Sequence, residues 1–528
     1  MTNFVYILYI ILREKSSKVL YTKIRKSSEV LFLKYYIGAD LGTSALKLLL
    51  CDEKKRIVRT VTKEYPVSYP RSGWSEQAPE LWWNAFLIGL GELVDSICAS
   101  DVAALAVAGQ MHGLVVLDDK DEVIRPAILW NDGRTEKQTE YLNKTVGTDV
   151  LSEHTANIAF AGFTAPKLLW MRENEPENFK KIKKIMLPKD YITYRLTGAF
   201  VTDYSDASGM LLLDVKNKRW SDRMLDICKI SEDMLPRLCE SFKAVGTVRK
   251  EIAQMFGFSE CVKVAAGAGD NAAAAVGMAA VGVGKCNISL GTSGTIFITD
   301  DKFSVDENNA LHSFCHADGG YHLMGCILSA ALCNKWFCDE ILGEKDYASL
   351  QNDISQELLG ENEVFFLPYL MGERSPINDT DATGLFIGMR PNTTQKEMLL
   401  AVLEGVAFAI RDNLEIAKKL GIRITESTVC GGGARSPLWM KILANVLNIK
   451  LLIPSVEEGP GYGGAILAAI SSGEYGDIKD ACADLLNIKE TVIPDAVLSE
   501  KYENKYCKYK KIYPAVKELY KDLKGEEA

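Results

Sequence analysis

Apolar residues follow two different periods along this chain, and their alternation predicts an α/β protein. Residues 37–52 form an apolar run, a Gly-Thr-Ser step and a second apolar run, which predicts a strand, a tight turn and a returning strand. Residues 80–99 instead carry apolar side chains at helical spacing. Because predicted strands and helices alternate in this way up to Val281, we expect an α/β domain with helices packed on a sheet.

The first strand–turn–strand unit recurs later in the chain. Residues 287–300 repeat the Leu-Gly-Thr-Ser of residues 41–44 between two apolar runs. Two copies of one unit indicate two similar domains that face each other. The rest of the second domain is predicted to form helices at 326–342, 395–420 and 437–447 and a strand at 427–430, and helices at 462–472 and 501–523 end the chain. Mixed Lys and Glu residues predict a solvent-exposed face for the last of these.

The first 35 residues differ in character from the rest. They contain a short apolar run at 4–12, which is too short to cross a bilayer, and the remainder is basic. No small-residue cleavage site follows, so the segment is a poor secretory signal. One alternative is a membrane-surface anchor. We favour a weakly ordered extension at 1–35, added by an upstream start that the native protein does not use.

The composition and charge of the chain argue against some functional classes. With 528 residues, 47% of them apolar and 25% charged, the chain has the balance of an ordinary globular protein with more than one core. The formal net charge of −9 leaves no domain-scale basic surface, which argues against a nucleic-acid partner. The 13 cysteines are odd in number and include no C-x-x-C pair, so we expect a reducing, cytoplasmic location.

The stretch 264–281 joins an apolar run to an alanine-rich segment through Gly267, Gly269, Asp270 and Asn271. One interpretation is a capped helix, because an aspartate at the N-cap accepts amide hydrogens from the first turn. The other is a general base at a cleft between two domains, with the glycines leaving room for a ligand. The stretch alone favours the capped helix, and both interpretations stay open at this point.

Both Gly-Thr-Ser turns have the composition of a phosphate site. Successive amides and hydroxyls can surround phosphate oxygens, and residues 42–44 and 291–293 supply them. Asp40 lies on the strand that enters the first turn, where a carboxylate can hold Mg²⁺ through water. An ordinary hairpin turn is the simpler alternative for either copy. Because the turn occurs twice, we favour a phosphate held from two sides.

Two further segments are rich in glycine. Residues 431–434 follow a predicted strand and open a helix, so they can admit a base or ribose against bare backbone; close helix–strand packing explains them equally well. The G-x-G-x-x-G at 459–464 follows a long loop, which favours packing glycines over a dinucleotide site. The chain contains neither G-x-x-x-x-G-K-[ST] nor a protein-kinase catalytic loop.

The histidines fall into two groups. His112 comes after Met111 at the end of the predicted buried strand 102–108, and ligands gather outside such strand ends. His112 is therefore either a hydrogen-bond partner of a substrate hydroxyl or a structural residue. His312, Cys315 and His316 have a spacing that a metal could use, but no second ligand pair lies nearby, which favours core or loop residues.

The chain from about Tyr36 to its end resembles the FGGY carbohydrate kinases, and many ordered segments carry the resemblance. They are IGADLGTS (37–44), GQMHG (109–113), RPAILWNDGR (125–134), GFTAPKLLW (162–170), LPKDY (187–191), GAGDNAAAAVG (267–277), SLGTSGT (289–295), HSFCHA (312–317), FLPYLMGERSP (366–376), AVLEGV (401–406) and GGGARS (431–436). Residues 162–174 fit one family signature, and residues 384–405 resemble the other. Each segment alone is weak evidence, and their order makes the resemblance specific.

This resemblance implies an α/β, two-domain actin-like (ribonuclease-H-like) ATPase fold with a central cleft. The first domain, 36–281, is then the sugar and phosphate side, and the second, 282–475, is the nucleotide side. A helical segment, 476–528, ends the chain. The resemblance also implies that Asp270 is the catalytic base.

Further site residues follow from the same resemblance. Met111, His112 and Asn271 are implied to contact the sugar together with Asp270, and Asp40 to hold Mg²⁺ through water. The residues implied to contact ATP and its phosphates are Thr43, Ser44, Gly291, Thr292, Ser293, Trp336, Gly432, Gly433 and Ala434.

The activity that the resemblance implies is phosphorylation of D-xylulose at its 5-hydroxyl, with ATP and Mg²⁺. His112 and the Gly-Asp-Asn at 269–271 favour a ketopentose over glycerol. Another FGGY kinase, acting on ribulose, gluconate or a deoxyketose, is the alternative within the enzyme class. An actin-like chaperone or filament ATPase is the alternative outside it. We expect no nucleic-acid or membrane partner, and a homodimer is an open alternative to the monomer.

Overall fold

The structure is a computed structural model that describes residues 34–455, 459–483 and 485–524. Residues 1–33 of the predicted extension lie outside the described residues. The predicted boundary at residue 35 is wrong, because Tyr35 already belongs to the first strand of the fold. Two seven-stranded mixed sheets form the framework, and helices pack on both. The predicted α/β character is confirmed.

The first sheet contains the first Gly-Thr-Ser hairpin. Its strands are β1 (Tyr35–Leu41), β2 (Ala45–Asp52), β3 (Ile57–Glu64), β4 (Val102–Gly109), β5 (Ala244–Thr247), β6 (Lys263–Ala265) and β7 (Ala268–Gly269). Their order is β5-β6-β4-β1-β2-β3, and β7 pairs with β4 beyond the end of β6. Strands β1, β4, β6 and β7 are parallel, so their carboxyl ends lie at one edge.

The second sheet repeats this arrangement around the second hairpin. Its strands are β8 (Cys286–Leu290), β9 (Gly294–Asp300), β10 (His312–Cys315), β11 (Tyr321–Ile327), β12 (Glu426–Cys430), β13 (Lys450–Pro454) and β14 (Ile488–Val492), in the order β10-β11-β9-β8-β12-β13-β14. In both sheets the entering strand of the hairpin is antiparallel to its return strand and parallel to its other neighbour. The internal repeat in the sequence is therefore a structural repeat.

Helices surround the sheets, and short strand pairs close the loops. The helices are α1 (Pro79–Val94), α2 (Thr148–Thr155), α3 (Thr164–Asn174), α4 (Pro188–Thr197), α5 (Tyr204–Ser208), α6 (Asp222–Cys228), α7 (Lys250–Phe256), α8 (Asp270–Gly277), α9 (Ala331–Trp336), α10 (Tyr347–Asn352), α11 (Gln395–Lys419), α12 (Pro437–Leu447), α13 (Gly459–Ser472), α14 (Ile478–Ala483), α15 (Ala496–Tyr509) and α16 (Ile512–Lys524). Shorter helical segments lie at Glu136–Glu140, Tyr141–Gly147, Pro176–Phe179 and Phe337–Leu342. The strand pairs are Glu76–Gln77 with Ala127–Ile128, Val115–Leu117 with Lys184–Met186, Val201–Asp203 with Arg237–Cys239, Leu213–Asp214 with Arg219–Trp220, and Phe365–Leu367 with Leu385–Ile387.

Helix α13 lies late in the chain but packs on the first sheet. A Cβ atom added to Gly38 of β1 would lie 1.8 Å from the carbonyl oxygen of Gly461. A Cβ on Gly463 would lie 1.8 Å from the carbonyl oxygen of Ala273 in α8. Only glycine permits such close backbone approach, which supports the predicted packing role for Gly461 and Gly463. A Cβ on Gly459 would meet nothing within 4 Å, so this glycine of the motif does not serve packing. Helix α13 therefore supports both β1 and α8.

Three details differ from the sequence predictions. Residues 326–327 end strand β11, and helix α9 begins only at Ala331. The predicted helix 501–523 is two helices, α15 and α16. The predicted solvent-exposed face is interrupted by Lys505, which is buried and paired with the buried Glu404. Charge composition alone does not reveal such a buried pair.

Within the described part of the chain, none of the helices combines the length and the apolar character that crossing a membrane requires.

Candidate active site

The parallel strands of the first sheet bring the predicted acidic residues to one edge. Asp40 on β1 is level with Ala108 on β4, and Ala268 on β7 is level with the same Ala108. Asp270 is the first residue of α8, directly after β7. Carboxyl ends of parallel strands are the usual location of ligands in α/β folds. The structure therefore places Asp40 and Asp270 at one candidate site.

Asp270 has the electrostatics of a general base. Burial raises its pKa to about 7, and the negative charge of Asp40 contributes to the rise. Burial likewise raises the pKa of Asp40 to about 6, against the lowering effect of Lys47. The Oδ1 atom of Asp270 accepts the amide hydrogen of Asn271 at 2.7 Å. A carboxylate whose pKa lies near neutral pH is suited to accept a proton during catalysis.

The predicted N-cap is shifted by one residue. Gly269 occupies the N-cap position of α8, and Asp270 is the first helical residue. Its carboxylate is therefore not used to cap the first turn, because in the described part of the chain it accepts an amide hydrogen from the adjacent Asn271 only. This leaves the second carboxylate oxygen available to a ligand.

A buried polar cluster anchors the loop before the base. The amide of Gly269 donates to Oγ of Ser205 at 3.1 Å, and this hydroxyl donates to Asp203. Asp203 also forms a 2.9 Å ion pair with Lys189, which pairs with Asp190 at 2.7 Å. All of these side chains are buried. Buried charges are stable only when paired in this way, so the cluster fixes the backbone that leads to Asp270.

His112 is held from several sides in a left-handed conformation, with φ of 69°. Its Nδ1 lies 2.7 Å from the carbonyl oxygen of Gly209. Its own carbonyl oxygen accepts hydrogen bonds from Lys167 Nζ at 2.8 Å and from Thr164 Oγ1 at 3.1 Å. Its ring stacks on Phe163 with centroids 4.6 Å apart. Such strain persists only where the surroundings enforce it, and it is typical of functional sites.

The protonation state of His112 follows from these contacts. Burial lowers its pKa to about 3, so the ring is neutral at physiological pH. The Gly209 carbonyl can only accept a hydrogen bond, so Nδ1 carries the proton and Nε2 is an acceptor. A neutral imidazole acceptor suits a sugar hydroxyl.

Met111 packs directly against the loop of the base. A Cβ atom added to Gly269 would lie 3.1 Å from the Met111 sulfur. Met111 is itself buried. The predicted sugar residues Met111, His112, Asp270 and Asn271 are therefore neighbours in the structure.

An aromatic cluster extends from His112 into the second domain. The His312 ring lies 5.7 Å from Phe163 and 5.2 Å from Phe160, measured between centroids. His312 is on β10, and no group of three potential metal ligands occurs among the described residues. The prediction that His312, Cys315 and His316 are core residues agrees with their burial.

The first Gly-Thr-Ser turn is held by side chains of its own domain. The Tyr65 hydroxyl donates to the carbonyl of Gly42 at 2.6 Å, and Gln77 Nε2 donates to the carbonyl of Thr43 at 2.7 Å. The Thr43 hydroxyl donates to Gln110 at 3.2 Å and accepts from the indole of Trp130 at 2.9 Å. Ser44 is exposed. The turn is rigid and close to Asp40, as a phosphate site requires.

Backbone hydrogen bonds hold the second Gly-Thr-Ser turn in place. The amides of Ala331 and Ala330 donate to the carbonyls of Gly291 and Thr292, both at 2.9 Å. Thr292 and Ser293 are exposed. A hydroxyl pair with free access can contact phosphate oxygens without rearrangement of the turn.

The glycine loop packs against this second turn. A Cβ on Gly431 would lie 3.1 Å from the amide nitrogen of Gly291, and one on Gly433 would lie 2.8 Å from Cβ of Leu290. A Cβ on Gly432 would meet nothing within 4 Å, so this position faces open space. Ala434 is buried. The loop therefore combines packing glycines with one exposed glycine.

Trp336 lies at the end of α9, whose first residue is joined to the second turn. Its ring is half-buried and stacks on Phe366 with centroids 6.3 Å apart. Its predicted contact with the nucleotide stays a prediction.

The surroundings of Asp40 suit a magnesium ion bound through water better than one coordinated directly by several protein side chains. Its side chain is half-buried, and no cluster of three metal-binding side chains surrounds it in the described residues. Mg²⁺ commonly keeps several waters and binds one carboxylate together with phosphate oxygens. One carboxylate beside a phosphate-type turn provides this donor set.

Sequence reasoning missed the supports of the site. Gln110, Trp130 and Lys167 all lie inside segments that carry the family resemblance, but no role was assigned to them. Lys167 was detectable as a lysine among the apolar residues of the segment 162–170. Arg374 also lies inside such a segment (366–376), but its approach to Phe160 was not predictable, because it joins two distant parts of the chain.

Comparisons with known proteins agree with this architecture. The N-terminal domain of the FGGY family of carbohydrate kinases matches residues 35–277, and its C-terminal domain matches residues 286–472. Xylulose kinase from Escherichia coli (strain K12) is 40% identical over 480 residues, which cover 90% of this chain and 98% of that protein.

Solved structures give the same result. A xyloylose kinase from Brucella ovis has a TM-score of 0.87 and 39% identity, covering 92% of this chain and 100% of that one. A gluconate kinase from Lactobacillus acidophilus has a TM-score of 0.87 and 27% identity, covering 93% and 100%. The chain has the expected two-domain actin-like ATPase fold, and it belongs to the FGGY family of carbohydrate kinases.

Proposed function

We propose that this protein transfers the γ-phosphoryl group of ATP to the 5-hydroxyl of D-xylulose. The observation that carries the proposal is the pairing of a base near neutral pKa, Asp270, with a neutral acceptor, His112, at one sheet edge. The 40% identity to a xylulose kinase over nearly the whole of both chains supports the same substrate.

Each residue has a role that its environment supports. Asp270 orients the sugar hydroxyl and accepts its proton, a contribution of about 10²–10⁴-fold in rate. His112, through Nε2, accepts a hydrogen bond from another sugar hydroxyl, while Met111 and Asn271 complete the sugar site. A buried acceptor that a wrong sugar leaves unpaired gives selectivity.

The nucleotide lies between the two sheets in this proposal. Thr43 and Ser44 of the first turn and residues 291–293 of the second contact the phosphates. Gly432, Gly433, Ala434 and Trp336 border the adenosine. Asp40 would hold Mg²⁺ through water, and the ion would supply positive charge beside the phosphates. Because phosphoryl transfer depends mainly on positioning and electrostatics, these fixed groups suffice without a covalent intermediate.

The domain roles and setting belong to the same proposal. Residues 36–281 hold the sugar and phosphates, and residues 282–475 hold the nucleotide. The predicted helical segment 476–528 contains helices α14 to α16 but also strand β14 of the second sheet. Helix α13 joins the two parts, because it packs on the first sheet. We place the enzyme in the cytoplasm, and a homodimer stays open.

A panel of acceptors tests the substrate. ADP release is measured with D-xylulose, D-ribulose, L-ribulose, D-gluconate, 1-deoxy-D-xylulose and glycerol. We expect D-xylulose to have the highest kcat/KM. Gluconate is the informative competitor, because a gluconate kinase shares the fold at a TM-score of 0.87. A higher kcat/KM for any other acceptor contradicts the substrate assignment, and ATP hydrolysis that no sugar stimulates contradicts the kinase proposal in favour of an ATPase scaffold.

A further inference from the structure

Arg374 lies on the turn after the strand Phe365–Leu367, and this turn is firmly held. The buried carboxylate of Glu373 accepts the amide hydrogens of Leu328 and Arg374, both at 2.8 Å. The amide of Ser375 donates to the carbonyl of Cys326 at 2.9 Å. The backbone that carries the arginine is therefore fixed, while its side chain is half-buried.

The guanidinium group of Arg374 reaches the first domain. Its central carbon lies 5.1 Å from the ring centroid of Phe160, within the range of a cation–π contact. Phe160 contacts Phe163, on which His112 stacks. The positive charge also lowers the pKa of His112 and of His312, in each case after the larger effect of burial. Arg374 thus approaches the sugar residues from the domain opposite to the base.

This charge has no counter-ion within the described residues. The guanidinium forms no ion pair and donates no hydrogen bond there, and it contacts the ring of Phe160. The adjacent Glu373 does not neutralise it, because burial raises the pKa of that carboxyl to about 8. A half-buried cation without an oxygen acceptor has lost hydration that one ring contact replaces only in part. A ligand that supplies oxygen acceptors would restore the missing contacts.

We infer that Arg374 binds the sugar substrate by donating hydrogen bonds from its planar guanidinium to two adjacent oxygen atoms. The five N–H donors form a rigid fork that matches such a pair of oxygens. Because the contact comes from the second domain, the bound sugar would contact both domains at once. The inference rests on the proposed function, since it adds a specificity-determining residue to the same sugar site.

Three variants test this inference. Arg374→Gln removes the charge, Arg374→Lys keeps the charge without the fork, and Arg390→Gln is the matched control. Arg390 is an exposed arginine of the same domain that pairs with Glu363 at 3.1 Å. Calorimetry without nucleotide measures the Kd for D-xylulose. We expect Arg374→Gln to weaken binding about 10- to 100-fold, Arg374→Lys to recover part of the loss, and the control to match wild type. The Kd for ATP should stay unchanged in all three.

A charge-specific readout separates sugar contact from a structural role. D-xylonate and xylitol have equal chain length and differ by a carboxylate, so their Kd ratio reports the cation. Arg374→Gln should weaken the binding of D-xylonate more than the binding of xylitol. Equal losses of affinity for D-xylonate and xylitol, or an unchanged Kd for D-xylulose, overturn the inference. If Arg374→Gln does not fold, an unchanged Kd in Arg374→Lys overturns it. If the wild-type protein prefers another sugar in the panel, the substrate assignment fails. The inference about Arg374 is then tested by measuring the same variants with that sugar, so the two failures are distinguishable.

Discussion

The two Gly-Thr-Ser hairpins have the same sheet topology but different chemistry. Each enters on a strand that is parallel to one neighbour and antiparallel to the other. The sequences align so that Asp40 of the first hairpin corresponds to Ser289 of the second. A half-buried carboxylate with a pKa raised to about 6 thus stands where the second copy has a half-buried hydroxyl.

The supports of the two turns differ as well. The first is held by Tyr65, Gln77 and Trp130. The second is held by backbone amides of α9 and by the glycine loop. The side chains that hold the first turn add polar groups near Asp40 and Asp270, which we call the acidic edge. The backbone contacts that hold the second turn add no charge, so we call this side of the site the uncharged edge. The repeated fold therefore provides two phosphate-type turns, and the substituents around them separate acid–base chemistry from nucleotide contact.

Removing the base from the acidic edge should have the largest effect. Asp270→Asn keeps the shape of the side chain but cannot accept the proton, so kcat with D-xylulose should fall about 10²–10⁴-fold. The Kd for ATP should change little, because the second hairpin is untouched. Steady-state kinetics and calorimetry measure the two effects. Turnover within tenfold of wild type would contradict the assignment of Asp270.

The same substitution should stabilise the fold. The pKa of Asp270 is raised to about 7 in the folded state, so its ionisation opposes folding as pH rises from the unfolded value to about 7. Asparagine has no such penalty. The Tm of Asp270→Asn should exceed that of wild type at pH 8, and the gain should be smaller at pH 5. A lower Tm at pH 8 would indicate that the carboxylate has a stabilising partner.

Exchanging Asp40 and Ser289, the corresponding residues that distinguish the two hairpins, should also have a large effect on the kinetics. Asp40→Ser makes the first hairpin resemble the second and removes the proposed Mg²⁺ contact, so kcat should fall about 10²-fold. Ser289→Asp places a negative charge beside the proposed nucleotide phosphates, so KM for ATP should rise while KM for D-xylulose stays constant. Titration with Mg²⁺ should require a higher concentration in Asp40→Ser. Equal Mg²⁺ dependence in Asp40→Ser and wild type would remove Asp40 from the metal site.

The acidic edge should also determine the pH profile. Asp270 and Asp40 must both be ionised, and their pKa values are raised to about 7 and about 6. The kcat/KM for D-xylulose should therefore be constant above pH 7, fall about tenfold per unit below it, and fall more steeply below pH 6. His112, with a pKa lowered to about 3, stays neutral throughout. Asp40→Ser should lose the steeper limb, and a profile that stays flat from pH 5 to 8 would contradict both assignments.

The sequence predicted the two hairpins well because their signals are local. An apolar run, a Gly-Thr-Ser step and a second apolar run contain everything that a strand–turn–strand requires. The position of Asp270 was predicted to within one residue. The supports were not predicted, because Lys167 reaches His112 and Arg374 reaches Phe160 only after distant segments pack together. The packing of α13 on the first sheet depends in the same way on a contact between Gly38 and Gly461.

The smallest expected effect concerns the uncharged edge and uses two adjacent glycines. Gly432→Ala adds a methyl group where nothing lies within 4 Å, so the Tm should stay within about 1 °C of wild type. If adenosine packs on this backbone, the same methyl group should raise KM for ATP about 3- to 10-fold. KM for D-xylulose should not change.

Gly433→Ala is the matched control for this prediction. Its Cβ would lie 2.8 Å from Leu290 and 3.0 Å from the ring of Trp439, so overpacking should destabilise the fold by about 1–3 kcal/mol. Differential scanning calorimetry should therefore show a lower Tm for Gly433→Ala alone. An unchanged KM for ATP in Gly432→Ala would mean that the exposed glycine does not border the nucleotide. The contrast between the two hairpins would then depend on their turns, because the glycine loop would serve packing only.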